Sequence, residues 1–379
     1  MRKTLSIILA LLIPLTFCST AFAQPKMNEK EVKAESAILM CMDNKQILYK
    51  KNETKHLSPA SVTKIMTVLL ILEALEEGSI KLSDKVSASK YAVSMGGSQI
   101  WLEEGEKMSV EELLKAVVIA SANDACAALA EYVGGSHEQF VDMMNERAEE
   151  IGCKNTHFEN SNGLDDTTKN HYSCAYDLAL ISCEVMKHDE IKKYTTIWLD
   201  SLRNGETELN NTNKLINTYN GITGLKTGTT SNAGFCISAT ASRDDFNLVA
   251  VVLKSDTSDE RFDTACKLLD YGFNNFEAIT PEIDKEQITS VKVNNGYFKE
   301  ITPITSGFDK IVVEKGNKNI SYEYDILKKV NAPIGKNDEL GSIKVMNGKN
   351  QIGEIKLVSP NSISRITLSD VFKDLLSKI

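Results

Sequence analysis

The 379-residue chain lacks most of the short patterns that announce an enzyme. There is no H-E-x-x-H zinc motif. His137-Glu138 begins one, but Val141 stands where the second histidine belongs. No C-x-x-C occurs either, so no metal is expected, and no cofactor. The G-x-S-x-G elbow is absent, and no local pattern marks one of the five histidines as the base of a serine triad. Positive charge is short. Lysine and arginine number 43 against 52 acidic residues, a net charge of −9, which argues against nucleic acid as a partner. The eight cysteines are scattered. Once Cys18 is set aside with the leader their number is odd, which argues against a disulfide framework. Cys126, Cys183, Cys236 and Cys266 fall inside helix or strand patterns, as buried free thiols do.

Long apolar runs are also scarce. "LSIILALLIPLTF" follows Arg2 and Lys3 and precedes the small-x-small "AFA" at Ala21–Ala23. It is shorter than the ~20 residues a membrane span needs. Residues 1–23 therefore read as a secretory signal peptide, and the mature protein is expected outside the cytoplasm. Lipoprotein processing at Cys18 is disfavoured by Phe17, bulky where a small residue is expected.

The remaining length suits two domains. "SAILMCMD" and "KQILYKKN" read as strands. Residues 61–77 read as a helix apolar on nearly all sides, which belongs in a core. Ser109 with Glu112 forms a capping box, and Ser136 with Gln139 repeats the device before a helix ending at Gly152. Another helix starts near Ser173. Beyond residue 220 the period becomes two. Phe235, Ile237, Ala239 and Ala241 share one strand face, "FNLVAVVLK" is a buried strand, and "DERFDTACKLLDYGF" is a helix. The first domain, residues 24–276, is thus α/β (α+β): an antiparallel sheet built from both chain ends around a helical insert. Residues 277–366 alternate in short segments with turns and form a small all-β domain. Residues 367–379 are helical.

With the other hydrolase motifs gone, lysine is the candidate base. S-x-x-K occurs at Ser61–Lys64 and at Ser87–Lys90. The second copy lies in a polar stretch, where Lys90 is a solvated charge. Ser61 follows Pro59 at a helix start, with Lys64 one turn on in apolar surroundings. Burial there lowers a lysine pKa, and a neutral amine beside a hydroxyl can take its proton. A capping serine with a snorkelling lysine would give the same letters. S-x-N occurs at Ser121–Asn123 and again at Ser359–Asn361, so it is weak alone. K-T-G occurs once, at Lys226-Thr227-Gly228, just before the buried strands, where it would edge a sheet.

The three motifs in this order are those of the penicillin-recognising serine transferases. Residues 34–275 more closely resemble the low-molecular-weight D-alanyl-D-alanine carboxypeptidases of peptidase family S11. "SPASVTKIMT", "SANDACAALAE", "NSNGLDD", "HYSCAYDLA", "LRNGETELNNTNKL" and "GLKTGTTSNAGFC" carry the resemblance. It implies a substrate, peptidoglycan stems ending in D-Ala-D-Ala, and β-lactams as covalent inhibitors. It implies Ser61 as nucleophile, Lys64 as base and Ser121 as proton relay. Asn123 would hold the substrate amide and Lys64. Lys226, Thr227 and Thr229 would meet the terminal carboxylate beside Gly228. The N–H groups of Ser61 and Thr229 would form the oxyanion hole. Two positions depart from the family: Ala122 replaces a usual glycine, and Thr229 stands where some members have histidine.

Two rivals stay open at this stage. "ETELN" at residues 206–210 matches the deacylating loop of class A β-lactamases, with Glu206 as the water-activating base. A non-catalytic peptidoglycan-binding scaffold is the other, although such a protein should have lost Ser61 or Lys64. At the C-terminus, with Ser369 as the expected N-cap, Val371, Phe372, Leu375, Leu376 and Ile379 share a helix face. That face either packs on the β domain or lies in a membrane interface, and the resemblance favours peripheral membrane contact.

Overall fold

A computed structural model describes residues 27–166, 168–306, 310–316 and 319–370. The expected signal peptide and the terminal residues 371–379 lie outside the described residues.

In the first domain, strands β1 (Ser36–Cys41), β2 (Ile47–Lys51), β3 (Ile222–Thr230), β4 (Gly234–Arg243) and β5 (Phe246–Ser255) form one sheet. Its order is β2-β1-β5-β4-β3, and every neighbouring pair is antiparallel. The two ends of the domain thus meet in one sheet, as the pattern of the sequence requires. Alternation sorts the side chains of β5 into two cores. Val249, Val251 and Leu253 enter the larger one with the helical insert. Leu248, Ala250 and Val252 enter the other, under the helix Ser258–Asn275. A strand buried on both faces has to be apolar there, and Leu248–Leu253 are six apolar residues in a row.

Helix α1 (Lys64–Glu76) runs through the larger core. It begins three residues later than the expected start at Ser61, because Ala60–Thr63 form a tighter 3₁₀ turn. Ala60 has φ +48°, and a left-handed residue cannot continue into an α-helix. Helix α2 (Asn123–Gly134) follows a π-turn at Ala116–Ala120 and a left-handed Ser121 with φ +64°. Helix α3 (His137–Ile151) is capped by Ser136, whose Oγ accepts from Gln139 N, and it stops at Gly152 with φ +93°. The Ser109–Glu112 capping box has both of its hydrogen bonds. None of the seven cysteines from Cys41 to Cys266 is paired.

The second domain is all β among its described residues. It has a four-stranded sheet (Ile304–Ser306, Asn350–Val358, Glu339–Asn347, Ile320–Ile326) and a three-stranded one (Glu300–Ile301, Val291–Asn294, Lys329–Asn331). Ser359–Asn361, the second S-x-N, belongs to this domain, and Ser359 Oγ is bonded to its own Asn361 carbonyl. The terminal turn corrects one expectation. The cap is Thr367, not Ser369: Asp370 N donates to Thr367 Oγ1 (3.3 Å), and Thr367 N donates back to Asp370 Oδ2 (2.9 Å). The reciprocal pair satisfies two orphan groups, which Ser369 alone could not do.

Candidate active site

The Ser61–Lys64 turn, Asn123 and the K-T-G strand come from three separate stretches of sequence yet meet at one edge of the sheet. The 3₁₀ turn presents Ser61 half-exposed, one turn before Lys64. Lys64 Nζ donates to Ser61 Oγ (2.9 Å), Asn123 Oδ1 (2.6 Å) and the Asn162 carbonyl (2.9 Å). Its side chain is fully buried, and that burial brings its pKa down to about 8. A neutral amine is therefore accessible near physiological pH, 2.9 Å from the hydroxyl it would deprotonate. The competing pair has none of this: Ser87 and Lys90 are both exposed.

Asn123 has a second contact, Nδ2 donating to Gly96 O at 2.7 Å, which fixes its amide with the oxygen toward Lys64. Ser121 is buried, and its left-handed backbone ends the preceding turn two residues before Asn123. Lys226 and Thr227 are buried on β3, which is the sheet edge expected for K-T-G. Gly228 lies directly over the Ser61 turn. A Cβ there would come within 2.8 Å of Ser61 N and Pro59 O. Only glycine lets the strand approach that backbone. Gly163 closes the other side of the turn: at φ +82° its Cβ would fall 1.8 Å from the Ala60 carbonyl.

Burial pushes Lys226 well below the ordinary lysine range, with the charges of Lys64 and Arg261 adding to the effect. The two lysines thus compete for charge. Thr227 Oγ1 is engaged with Thr212 Oγ1 (2.6 Å), and Thr229 Oγ1 donates to the Gly228 carbonyl (2.8 Å).

Three contributors were not singled out from the sequence. Arg261 is buried in the first turn of the Ser258–Asn275 helix, and its Nη1 donates to Gly228 O and Thr229 Oγ1, each at 3.3 Å. Burial lowers its pKa to about 10. A signal existed: a cation in a first helical turn opposes the macrodipole and needs another reason to be there. His171 is the second. Its Nδ1 accepts from Glu159 N (3.1 Å), so Nε2 carries the proton and donates to Thr63 Oγ1 (2.8 Å). Burial brings its pKa down to about 4, and it stays neutral as a brace behind Lys64. The third, the Asn162 carbonyl, is backbone and leaves no side-chain trace. Glu206, by contrast, is exposed at the tip of the hairpin formed by Leu199–Leu202 and Thr207–Asn210.

A serine bonded to a buried lysine, with an S-x-N turn and a K-T-G edge strand beside it, is the arrangement of the penicillin-recognising serine transferases. The chain belongs to the D-alanyl-D-alanine carboxypeptidase family: the family model matches residues 21–257, and residues 276–365 match the C-terminal domain of penicillin-binding protein 5. It is 42% identical over 368 residues to the D-alanyl-D-alanine carboxypeptidase DacF of Bacillus subtilis, covering 95% of this chain and 93% of that one. Among solved structures it is similar to penicillin-binding protein 5 of Haemophilus influenzae. The TM-score there is 0.80 and the identity 28%, over 90% of this chain and all of that one. Penicillin-binding protein D2 of Listeria monocytogenes, solved in its cefotaxime-bound form, matches 66% of this chain and all of its own, with TM-score 0.60 and identity 30%.

Proposed function

We propose that the protein removes the terminal D-alanine from peptidoglycan stem peptides through an acyl-enzyme on Ser61. One observation carries the reading: the fully buried Lys64 amine, with its pKa near 8, set 2.9 Å from Ser61 Oγ. Ser61 Oγ attacks the carbonyl carbon between the two D-alanines, and its proton passes to Lys64 Nζ. The N–H groups of Ser61 and Thr229 receive the oxyanion. Ser121 relays the proton to the leaving amine, the C–N bond breaks and D-alanine departs. Water then hydrolyses the ester. Lys226, Thr229 and Arg261 receive the substrate's carboxylate, and Thr227 joins them once Thr212 becomes the donor of that hydroxyl pair. The carboxylate draws the proton onto Lys226, which leaves Lys64 neutral when the base is needed. β-Lactams acylate the same serine. The exposed position of Glu206 gives no support to a β-lactamase reading.

Diacetyl-L-lysyl-D-alanyl-D-alanine and a chromogenic cephalosporin test this together. D-Alanine release should be catalytic, while ring opening should stop near one equivalent. Release should rise with pH and level off above about 8, because only the unprotonated Lys64 is a base. Sustained cephalosporin turnover, or a profile flat from pH 6.5 to 9, would count against the mechanism.

The leader sequence supports export, with action in the cell envelope on the outer face of the membrane or beyond it. No described helix is long and apolar enough to cross a membrane. Residues 371–379 lie outside the described residues; by sequence Val371, Phe372, Leu375, Leu376 and Ile379 would share one face of a helix, and Leu368 before them is 91% exposed. That helix would lie in the lipid interface and bind weakly and reversibly. Deleting residues 367–379 should move the protein from the liposome pellet to the supernatant without loss of D-alanine release. An intact protein that never pellets would remove the anchor.

A further inference from the structure

Trp101 is three-quarters exposed, unusual for the largest side chain, and its backbone is left-handed at φ +57°. The strain is held from both sides. Asp124, buried and next to the active-site Asn123, accepts from Ile100 N (3.2 Å) and Leu102 N (3.1 Å). Arg203 donates to the carbonyls of Ile100 (2.8 Å) and Trp101 (3.4 Å). Ile100 and Leu102 on either side enter the core, and the indole between them is turned to water.

The loop is also built into the site wall. Asn123 N donates to Ser98 O (2.7 Å), and Asn123 Nδ2 donates to Gly96 O (2.7 Å). Trp101 follows Ser98 by three residues, so it lies within ~11 Å of it. The edge strand β3 flanks Ser61 on one side and holds the groups assigned to the carboxylate. Asn123, reached through Lys64, flanks it on the other. With its carboxylate at β3, a stem peptide would run out from the scissile bond past that second wall. The residue preceding the two D-alanines is a diamino acid, whose side chain ends in an amine.

We propose that Trp101, with Glu103 and Glu104, is a recognition subsite for that side-chain ammonium. The inference rests on the carboxypeptidase reading and names a feature of its substrate. An indole face is the best aromatic partner for a cation. The two glutamates that follow it are exposed. The nearby guanidinium of Arg203 is held by Glu106 through both oxygens, at 2.7 and 2.9 Å, and its charge also reaches Glu103, while Glu104 is left to the ligand. The subsite selects stems whose amine is free over stems whose amine is acylated, as it is in a crosslink.

The test compares kcat/KM of the whole mature protein on Nα-acetyl-L-lysyl-D-alanyl-D-alanine and on its Nα,Nε-diacetyl counterpart. The wild type should favour the free amine about five-fold, the scale of an exposed cation–π contact with added carboxylates. Trp101→Ala should bring the ratio to near one, and Trp101→Phe should keep part of it. Glu103→Gln with Glu104→Gln should lower the ratio on an intact loop, which keeps the test decisive should Trp101→Ala fail to fold. A wild-type ratio near one overturns the proposal, as does a Trp101→Ala protein slowed equally on both peptides. Absence of release from either peptide would instead strike the carboxypeptidase reading itself.

Discussion

Replacing Ser61 with alanine should abolish labelling by a fluorescent penicillin and reduce D-alanine release on the order of 10⁶-fold, the scale of a lost serine nucleophile. Ser61 Oγ is the hydroxyl bonded to the Lys64 amine, on the turn that Gly228 of the edge strand closely covers. The fold should survive, because Ser61 is half-exposed and the turn is held by the backbone contact of Val62 N with Pro59 O (3.1 Å). A melting curve beside the gel separates lost chemistry from lost structure. Ser87→Ala, which alters the other S-x-x-K, should label normally. Labelling that persists in Ser61→Ala would falsify the assignment of the nucleophile.

The second large effect belongs to Lys64. Lys64→Ala should slow acylation by the 10²–10⁴-fold typical of a general base. Lys64→Arg sharpens the point. A guanidinium keeps the positive charge near Asn123 Oδ1 and the Asn162 carbonyl but does not give up its proton in a protein. If proton abstraction is the role, arginine should be about as poor as alanine, and the rise in rate toward pH 8 should vanish with either. An arginine variant that retains a tenth of the acylation rate would mean that charge, and not basicity, is what the site needs. The same physics explains why this lysine is poised. Burial lowers it to about 8, an ordinary surface lysine would stay protonated, and Lys226 nearby opposes a second charge.

Much of this was legible before any coordinates. The unbroken apolar runs of "FNLVAVVLK" and residues 61–77 and the alternation of "FCISATA" determined which segments are strands and helix, because burial on one face leaves a period in the letters and burial all round leaves a run. The three motifs determined which residues to bring together, since nucleophile and base must share a helix turn and the remaining groups must come from elsewhere. The rest depended on approach in space. That Gly163 and Gly228 clamp the Ser61 turn, that the Asn162 carbonyl receives Lys64 and that His171 braces Thr63 are contacts between segments far apart in the chain. Backbone carbonyls and glycine clearances have no side-chain signature. Arg261 and Trp101 sat in unremarkable local patterns, an amphipathic helix and a polar loop. Only the tertiary structure put the first under the edge strand and turned the second to solvent on a loop held by Asp124. The charge on a lysine is likewise decided by how much water the whole fold removes from it, and no stretch of ten residues contains that quantity.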